Sequence, residues 1–446
     1  MKLKLTLTLL FISVLAFSQS EVSETLSAIA KAPSAEHIEK DIRKLVSFGT
    51  RHTLSDTVSK TRGIGAARRW IKSEFDKISA DCNNCLEVSY QRNLVVKDDR
   101  RIVKDVWVVN VMAIQRGTKY PNKYVIMSGD IDSRVSDPNN FTSDSPGAND
   151  NASGMAGALE AARVLSKYKF PVSVIYVCLS GEEQGLHGGQ HMAKVAKEQG
   201  WDIVAVLNND MIGNIEGIDG VKDNSTFRVF SEAISMETTD REKSAMRFYG
   251  GEIDGPSRQL ARYIDKLTDD YMTNLDAIMI YRLDRFGRGG HHRPFNDQGF
   301  TGVRIMETHE NYNRQHQDLR TENGIAYGDV IDFVDFDYAS KLTAVNAITL
   351  AALASAPPEP KNVSIGGAVQ PSTRLKWDAV NDNDIIGYKI YWRDTTSPQW
   401  QYSRFVGNTT DYTLENIVID NYLFGVASVG KNGAESLIQF PKQIIR

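Results

Sequence analysis

The sequence predicts an α/β protein with a mixed, mostly parallel central sheet flanked by helices, followed by a C-terminal all-β sandwich. Three observations carry this expectation. Apolar β-rich runs alternate with helical periodicities over the first three quarters of the chain. A proline-marked break at Ala356-Pro-Pro-Glu-Pro360 ends the alternation. Beyond it come only short alternating runs separated by turn residues.

In chain order, Lys2 and Lys4 precede an apolar run from Leu5 to Phe17 and a small-x-small step at Ala16-Phe-Ser18, so residues 1–18 read as an export signal. That run is shorter than the roughly 20 residues that cross a bilayer. The mature chain is therefore expected to be secreted or periplasmic, with no membrane span. Residues 19–355 form the main domain. Within it, Val106–Ile114, Tyr124–Met127, Val172–Leu179, Ile203–Leu207, Ala277–Tyr281 and Gly302–Met306 read as strands. Ser153–Tyr168, Gly188–Gln199, Pro256–Thr268 and Phe333–Ser355 carry helical spacing. Buried strands alternating with helices imply a sheet covered on both faces. Residues 356–361 are a linker. In residues 362–446 the strands are Arg374–Trp377, Gly387–Trp392, Ser403–Val406 and Leu423–Val429, and this tail resembles a fibronectin type III domain.

With 446 residues, 41% of them hydrophobic, the chain can bury a large core. Its 52 basic and 56 acidic residues give a net charge of −4, which offers nucleic acid no basic surface. Cys82-Asn-Asn-Cys85 lies in a polar stretch and reads as an oxidised pair closing a local loop, while Cys178 sits in an apolar run as a buried thiol.

In parallel sheets, ligands bind beyond the carboxyl ends of the strands. Here those ends are acidic. Asp130-Ile-Asp132 follows one strand, Asn149-Asp150 opens a helix, Glu182-Glu183 follows the next strand, and Asp210 follows another. Each segment alone is a common turn or helix cap. Together they bring six carboxylates to one edge, which is unfavourable unless cations neutralise them. The inference is a metal site with more than one ion.

These segments resemble the M28 family of zinc-dependent exopeptidases: Asp130-Ile-Asp132-Ser, Gly147-Ala-Asn-Asp150-Asn-Ala-Ser-Gly154, Gly181-Glu182-Glu183-Gln-Gly185, Asn209-Asp210-Met-Ile-Gly213 and a late His316. The resemblance runs from about residue 36 to residue 354 and keeps the family's order. It implies that Asp150 bridges two divalent ions, that Glu183 and His316 complete one site, and that Asp210 belongs to the other. Glu182 would be the general base, moving a proton from the attacking water to the leaving amine. The implied substrates are peptides or proteins, with an aminopeptidase expected first and a carboxypeptidase or dipeptidase of the same fold as the alternative. Arg282, Arg285, Arg288 and Arg293 keep that alternative open, because a free carboxylate needs a basic clamp. Oligomeric state is not indicated.

Two positions depart from the family pattern. Its first ligand is a histidine in a His-x-Asp segment, and this chain has Asp130 there, so Asp132, the acid that would orient that histidine, has no imidazole beside it. Asp130 is read as coordinating directly, which makes the site formally neutral. That oxygen-rich set keeps zinc as the expected ion overall but opens one position to manganese or magnesium. The competing reading is a weak or empty position and a non-catalytic binding relative. The second departure lies in Gly290-His291-His292, which resembles the family's Ser-Asp-His loop with Gly290 and His291 replacing Ser and Asp. His292 is the residue expected to meet substrate, against a structural role of equal weight. His187 and His191 have metal-compatible spacing but no further ligand, and read as packing histidines.

Overall fold

The computed structural model describes residues 23–98 and 100–445, so the export signal expected at residues 1–18 lies outside the described residues. An eight-stranded sheet organises the main domain. Its strands are β1 (Leu86–Val95), β2 (Val106–Gln115), β3 (Tyr120–Asp130), β4 (Val172–Leu179), β5 (Asp202–Asn209), β6 (Thr226–Ser231), β7 (Asp276–Ile280) and β8 (Gly302–Glu307). They lie in the order β1-β2-β4-β3-β5-β8-β6-β7. The central four, β4, β3, β5 and β8, run parallel, while β2 and β6 pair antiparallel to their inner neighbours. The parallel strands are buried along nearly their whole length, as sheets covered on both faces require.

One face carries α1 (Ala35–Val46), α2 (Gly63–Asp81) and α3 (Ala152–Leu165). The opposite face carries α4 (His187–Glu198), whose Met192, Ala193 and Ala196 pack on Ile126, Ile175, Val177 and Val206. Further on come α5 (Asp240–Tyr249), α6 (Pro256–Tyr271), α7 (His292–Asp297) and α8 (Phe336–Ser355). Phe295 of α7 joins the α4 face, and α6 and α8 join the first. The last helix is apolar on most of its circumference, and correspondingly is buried between α3, α6 and the sheet.

The connection from β3 to β4 passes through α3 on one face, and the return from β4 to β5 passes through α4 on the other. The strand order therefore reverses at β3, where a doubly wound sheet opens a crevice. Two glycines tighten that crevice. A Cβ on Gly129 would lie 2.4 Å from the Gly154 carbonyl carbon, and one on Gly154 would lie 2.3 Å from the Asn209 carbonyl oxygen. Only glycine lets the start of α3 press against the ends of β3 and β5. Asn151 caps that helix by accepting from the Gly154 N–H.

A short hairpin, β9 (Arg320–Glu322) with β10 (Ile325–Tyr327), precedes α8. Beyond the linker, β11 (Ser364–Gly366), β12 (Thr373–Lys376), β13 (Ile385–Asp394), β14 (Tyr402–Gly407), β15 (Asp411–Leu414), β16 (Tyr422–Gly430) and β17 (Gln443–Ile444) form two sheets, β15-β12-β11-β17 and β14-β13-β16. Leu375 and Trp377 pack against Tyr388, Ile390, Trp392, Phe424 and Val426 to make its core. This β unit docks on α6 through Asp254. That carboxylate, fully buried, accepts from Arg262 Nη1 at 2.9 Å and from Arg393 Nη2 at 2.8 and 2.9 Å. Removing one partner of a buried pair leaves uncompensated charge. Asp254→Ala is therefore expected to cost about 3–5 kcal/mol, read as a lower midpoint in urea denaturation.

Candidate metal centre

The four parallel strands deliver the acids to one edge. Asp130 ends β3, Glu182 and Glu183 follow β4, Asp210 follows β5, Asp150 immediately precedes α3, and His316 lies in the loop after β8. Asp150, Glu183 and His316 converge, each offering a ligand atom within 4.8 Å of the others. His316 Nε2 lies 2.8 Å from Glu183 Oε1 and 2.9 Å from Asp150 Oδ2. Its backbone sits at φ 52°, a left-handed conformation that is sparsely populated and frequent at functional sites. Two carboxylates and one imidazole around a common point match the donor chemistry of zinc.

Neighbouring groups hold this triple in place. Arg134 Nε donates to Glu183 Oε2 at 2.8 Å, and its Nη2 lies 2.7 Å from His316 Nδ1. Burial works against charge on the ring, but Glu183 and Asp150 outweigh it, so the metal-free ring takes up a proton more readily than a free imidazole. Burial also opposes ionisation of Asp150, yet His316 carries it below the usual carboxylate range. Asp329 fixes the Asp150 backbone by accepting the N–H groups of Asn149 at 2.8 Å and Asp150 at 2.7 Å. Asp132 accepts the N–H groups of Gly181, Glu182 and Glu183 at 2.8, 3.1 and 2.9 Å. In place of an imidazole, Asp132 orients the turn that carries both glutamates.

Two of the expected ligands stand apart from the triple. Asp210 Oδ2 lies 3.0 Å from Arg304 Nη2, and the Arg304 Nε donates to the Asp210 carbonyl at 2.6 Å. Burial pushes Asp210 up to about 7 despite that arginine. Asp130 contacts His291 Nδ1 through Oδ1, and its Oδ2 accepts from Asn151 Nδ2 at 2.6 Å. Burial and the nearby Asp132 raise Asp130 well above its ordinary value. Glu182 is half-buried, and desolvation together with Glu183, Asp210, Asp130 and Asp150 raises its carboxyl strongly. Among the described residues no side chain bonds the Glu182 carboxylate.

His292 is fully buried and points its Nε2 at the Leu283 carbonyl, 2.8 Å away. The neighbouring His291 is the member of the pair that meets a site carboxylate. Cys82 and Cys85 are joined in a disulfide, and Cys178 is a buried free thiol. Arg134, Arg304, Asp329 and Glu307 also support the site, and the sequence reading passed over them. Arg304 carried a signal: a lone arginine inside the apolar strand Gly302-Val-Arg-Ile-Met306 must be paired where it is buried.

Residues 110–335, which include all these acids, match Peptidase family M28. A "Probable zinc metalloprotease" of Pyrenophora teres is 42% identical over 94% of this chain and 87% of its own length. One of Leptosphaeria maculans is also 42% identical, over 94% of this chain and 97% of its own. Among solved structures, the LapA aminopeptidase of Legionella pneumophila superposes with a TM-score of 0.53 at 20% identity, covering 75% of each chain. A leucine aminopeptidase precursor of Bacteroides thetaiotaomicron gives 0.51 at 14% identity, covering 72% of this chain and 98% of that one. The structural likenesses establish the shared fold, and the family match with the near full-length relatives establishes that this chain belongs to Peptidase family M28.

Proposed function

We propose that this protein is an exported exopeptidase that removes residues from the amino terminus of peptides, using two divalent metal ions and Glu182 as its base. The observation that carries this reading is the juxtaposition of the Asp150–Glu183–His316 triple with the neighbouring Glu182 carboxylate, which no side chain among the described residues bonds. Asp150, Glu183 and His316 would hold one ion, and Asp210 together with Asp150 the other. Bound zinc would supply Lewis acidity, polarising the scissile carbonyl and easing deprotonation of the attacking water.

The remaining work falls to the chain's own groups. Asp132 grips the Glu182 N–H and so fixes where that carboxylate stands. Glu182 takes the water's proton at a carboxylate oxygen and delivers it to the departing amine. Burial of this carboxyl raises its proton affinity, which suits it to accept the proton as well as to give it up. Arg134 and Arg304 keep the ligand carboxylates oriented through Glu183 and Asp210.

Amino-terminal rather than carboxy-terminal trimming is favoured by the arginines. Arg285 Nη1 lies 3.1 Å and Arg288 Nη1 3.5 Å from Glu310 Oε2, while Arg293 pairs with Asp297 at 3.7 Å. Three of the four guanidinium groups are thus already paired, which leaves Arg282, lying over the Phe286 ring, as the one of the four able to meet a substrate carboxylate.

Glu182→Gln is expected to lower kcat by at least about 100-fold with metal content unchanged, measured by peptide turnover and metal analysis. Acetylating the amino terminus of a test peptide should abolish cleavage, and amidating its carboxyl terminus should not; the opposite pattern would make the enzyme a carboxypeptidase. Asp210 has a folded pKa above its unfolded one, so the metal-free fold retains a proton that the unfolded chain releases. Stability of the metal-free protein should therefore fall as pH rises from about 4 towards 7. Zinc replaces that proton. The gap in Tm between zinc-loaded and EDTA-treated protein should widen between pH 5 and pH 7.5.

A further inference from the structure

The two departures from the family pattern, Asp130 where a histidine is expected and His291 where an aspartate is expected, lie 161 residues apart and touch in the fold. We infer that His291 supplies, through Nε2, the imidazole donor at the second metal position, and that Asp130 is the carboxylate that orients this ring. The assignment rests on the dinuclear reading above and names the donor that reading leaves open.

Four observations carry it. Both oxygens of Asp130 are engaged, Oδ1 by His291 Nδ1 and Oδ2 by Asn151 Nδ2 at 2.6 Å, so each already has a protein partner. His291 is fully buried, and its Nε2 is a buried nitrogen with no hydrogen-bond partner. With Asp130 ionised, Nδ1 carries the ring's proton and Nε2 keeps a lone pair. A buried acceptor without a partner is costly, and a metal ion relieves that cost. The ring cannot swing away on one side, because Gly189 of α4 lies against it so closely that a Cβ there would sit 2.6 Å from His291 Cδ2. Finally, the ring lies within the electrostatic reach of Asp132 and of Asp210, the latter one of the two carboxylates assigned to the second position.

Carboxylate, imidazole and metal in series is a recurrent arrangement in which the acid fixes the tautomer and raises the basicity of the ligand nitrogen. The exchange also changes the charge balance. With Asp130 held outside the coordination shell, three ligand carboxylates face two dications, and the site keeps a net positive charge for a developing oxyanion. An imidazole in place of a fourth carboxylate moves the preference of that position from manganese or magnesium back towards zinc.

The test measures bound metal in the full-length protein, with zinc alone as the probe. Wild-type protein equilibrated with zinc should hold two ions per chain, and His291→Ala should hold one. Asp130→His combined with His291→Asp, which restores the family's arrangement, should hold two. Zinc X-ray absorption of the wild-type protein should count two imidazoles over two ions, a readout that needs no variant to fold. Two ions in wild type with two still present in His291→Ala at unchanged affinity, or a single imidazole over two ions, would overturn the assignment and leave the dinuclear function standing. One ion in wild type would overturn both.

Discussion

Mutual repulsion of carboxylates is the constraint on which this structure turns. The ends of four parallel strands bring Asp130, Asp132, Asp150, Glu182, Glu183 and Asp210 into one crevice, and Glu307 and Asp329 stand behind them. Such a cluster persists only if each oxygen has a donor or a cation. Backbone N–H groups serve Asp132 and Asp329, while the half-buried Arg134 and the buried Arg304 serve Glu183 and Asp210. Arg51, fully buried, spends its donors on the carbonyls of Ile131, Pro146 and Gly147, and so braces the loop that leads to Asp150. Burial pulls the Arg51 guanidinium down to about 10, and nearby Asp329, Asp132 and Asp150 support its charge. Protein cations and amides thus neutralise most of the nest, and the residue is a charge deficit that metal ions are suited to fill.

The legible part of the fold was the part with a strong period. Val172–Leu179 is a strand to the residue, and the helices at 152–165, 187–198, 256–271 and 336–355 fall within a few positions of their sequence spans. What went unread was amphipathic in a weaker way. Leu86–Val95 is an edge strand whose side chains alternate between shielded and exposed, with polar residues on both faces, and Thr226–Ser231 is short and interrupted by Arg228. The helix Gly63–Asp81 begins with two glycines, which local propensity penalises; both are required because Cβ atoms there would meet the backbone of Asp56 and Thr57. In the β unit, the strand at 443–444 owes its existence to pairing with Ser364–Ile365 and has no signal of its own.

For the site, sequence order was enough to nominate the acids because each follows a predicted strand or opens a predicted helix, and strand polarity fixes the edge at which they emerge. The groups that position those acids come from elsewhere. Asp329 and Arg134 act from loops with no periodicity, and their partners are tens to hundreds of residues distant. The contact between Asp130 and His291 is the sharpest case. Read separately, one position looks like a lost ligand and the other like an idle histidine; only the three-dimensional fold makes them neighbours.

The buried Asp254 junction bears on how this chain can be divided. The linker at 356–361 looks in sequence like a natural place to separate a catalytic portion from an accessory one. In space, Arg262 and Gln259 of α6, with Asp254 just before that helix, meet Arg393, Pro398 and Trp400 of the tail. Excising the tail would strip Asp254 of one of its two guanidinium partners and open a polar wound on the helix that packs behind β8, the strand leading to His316. A protease cut at the prolines would therefore nick the molecule and leave its two parts held together by this buried junction.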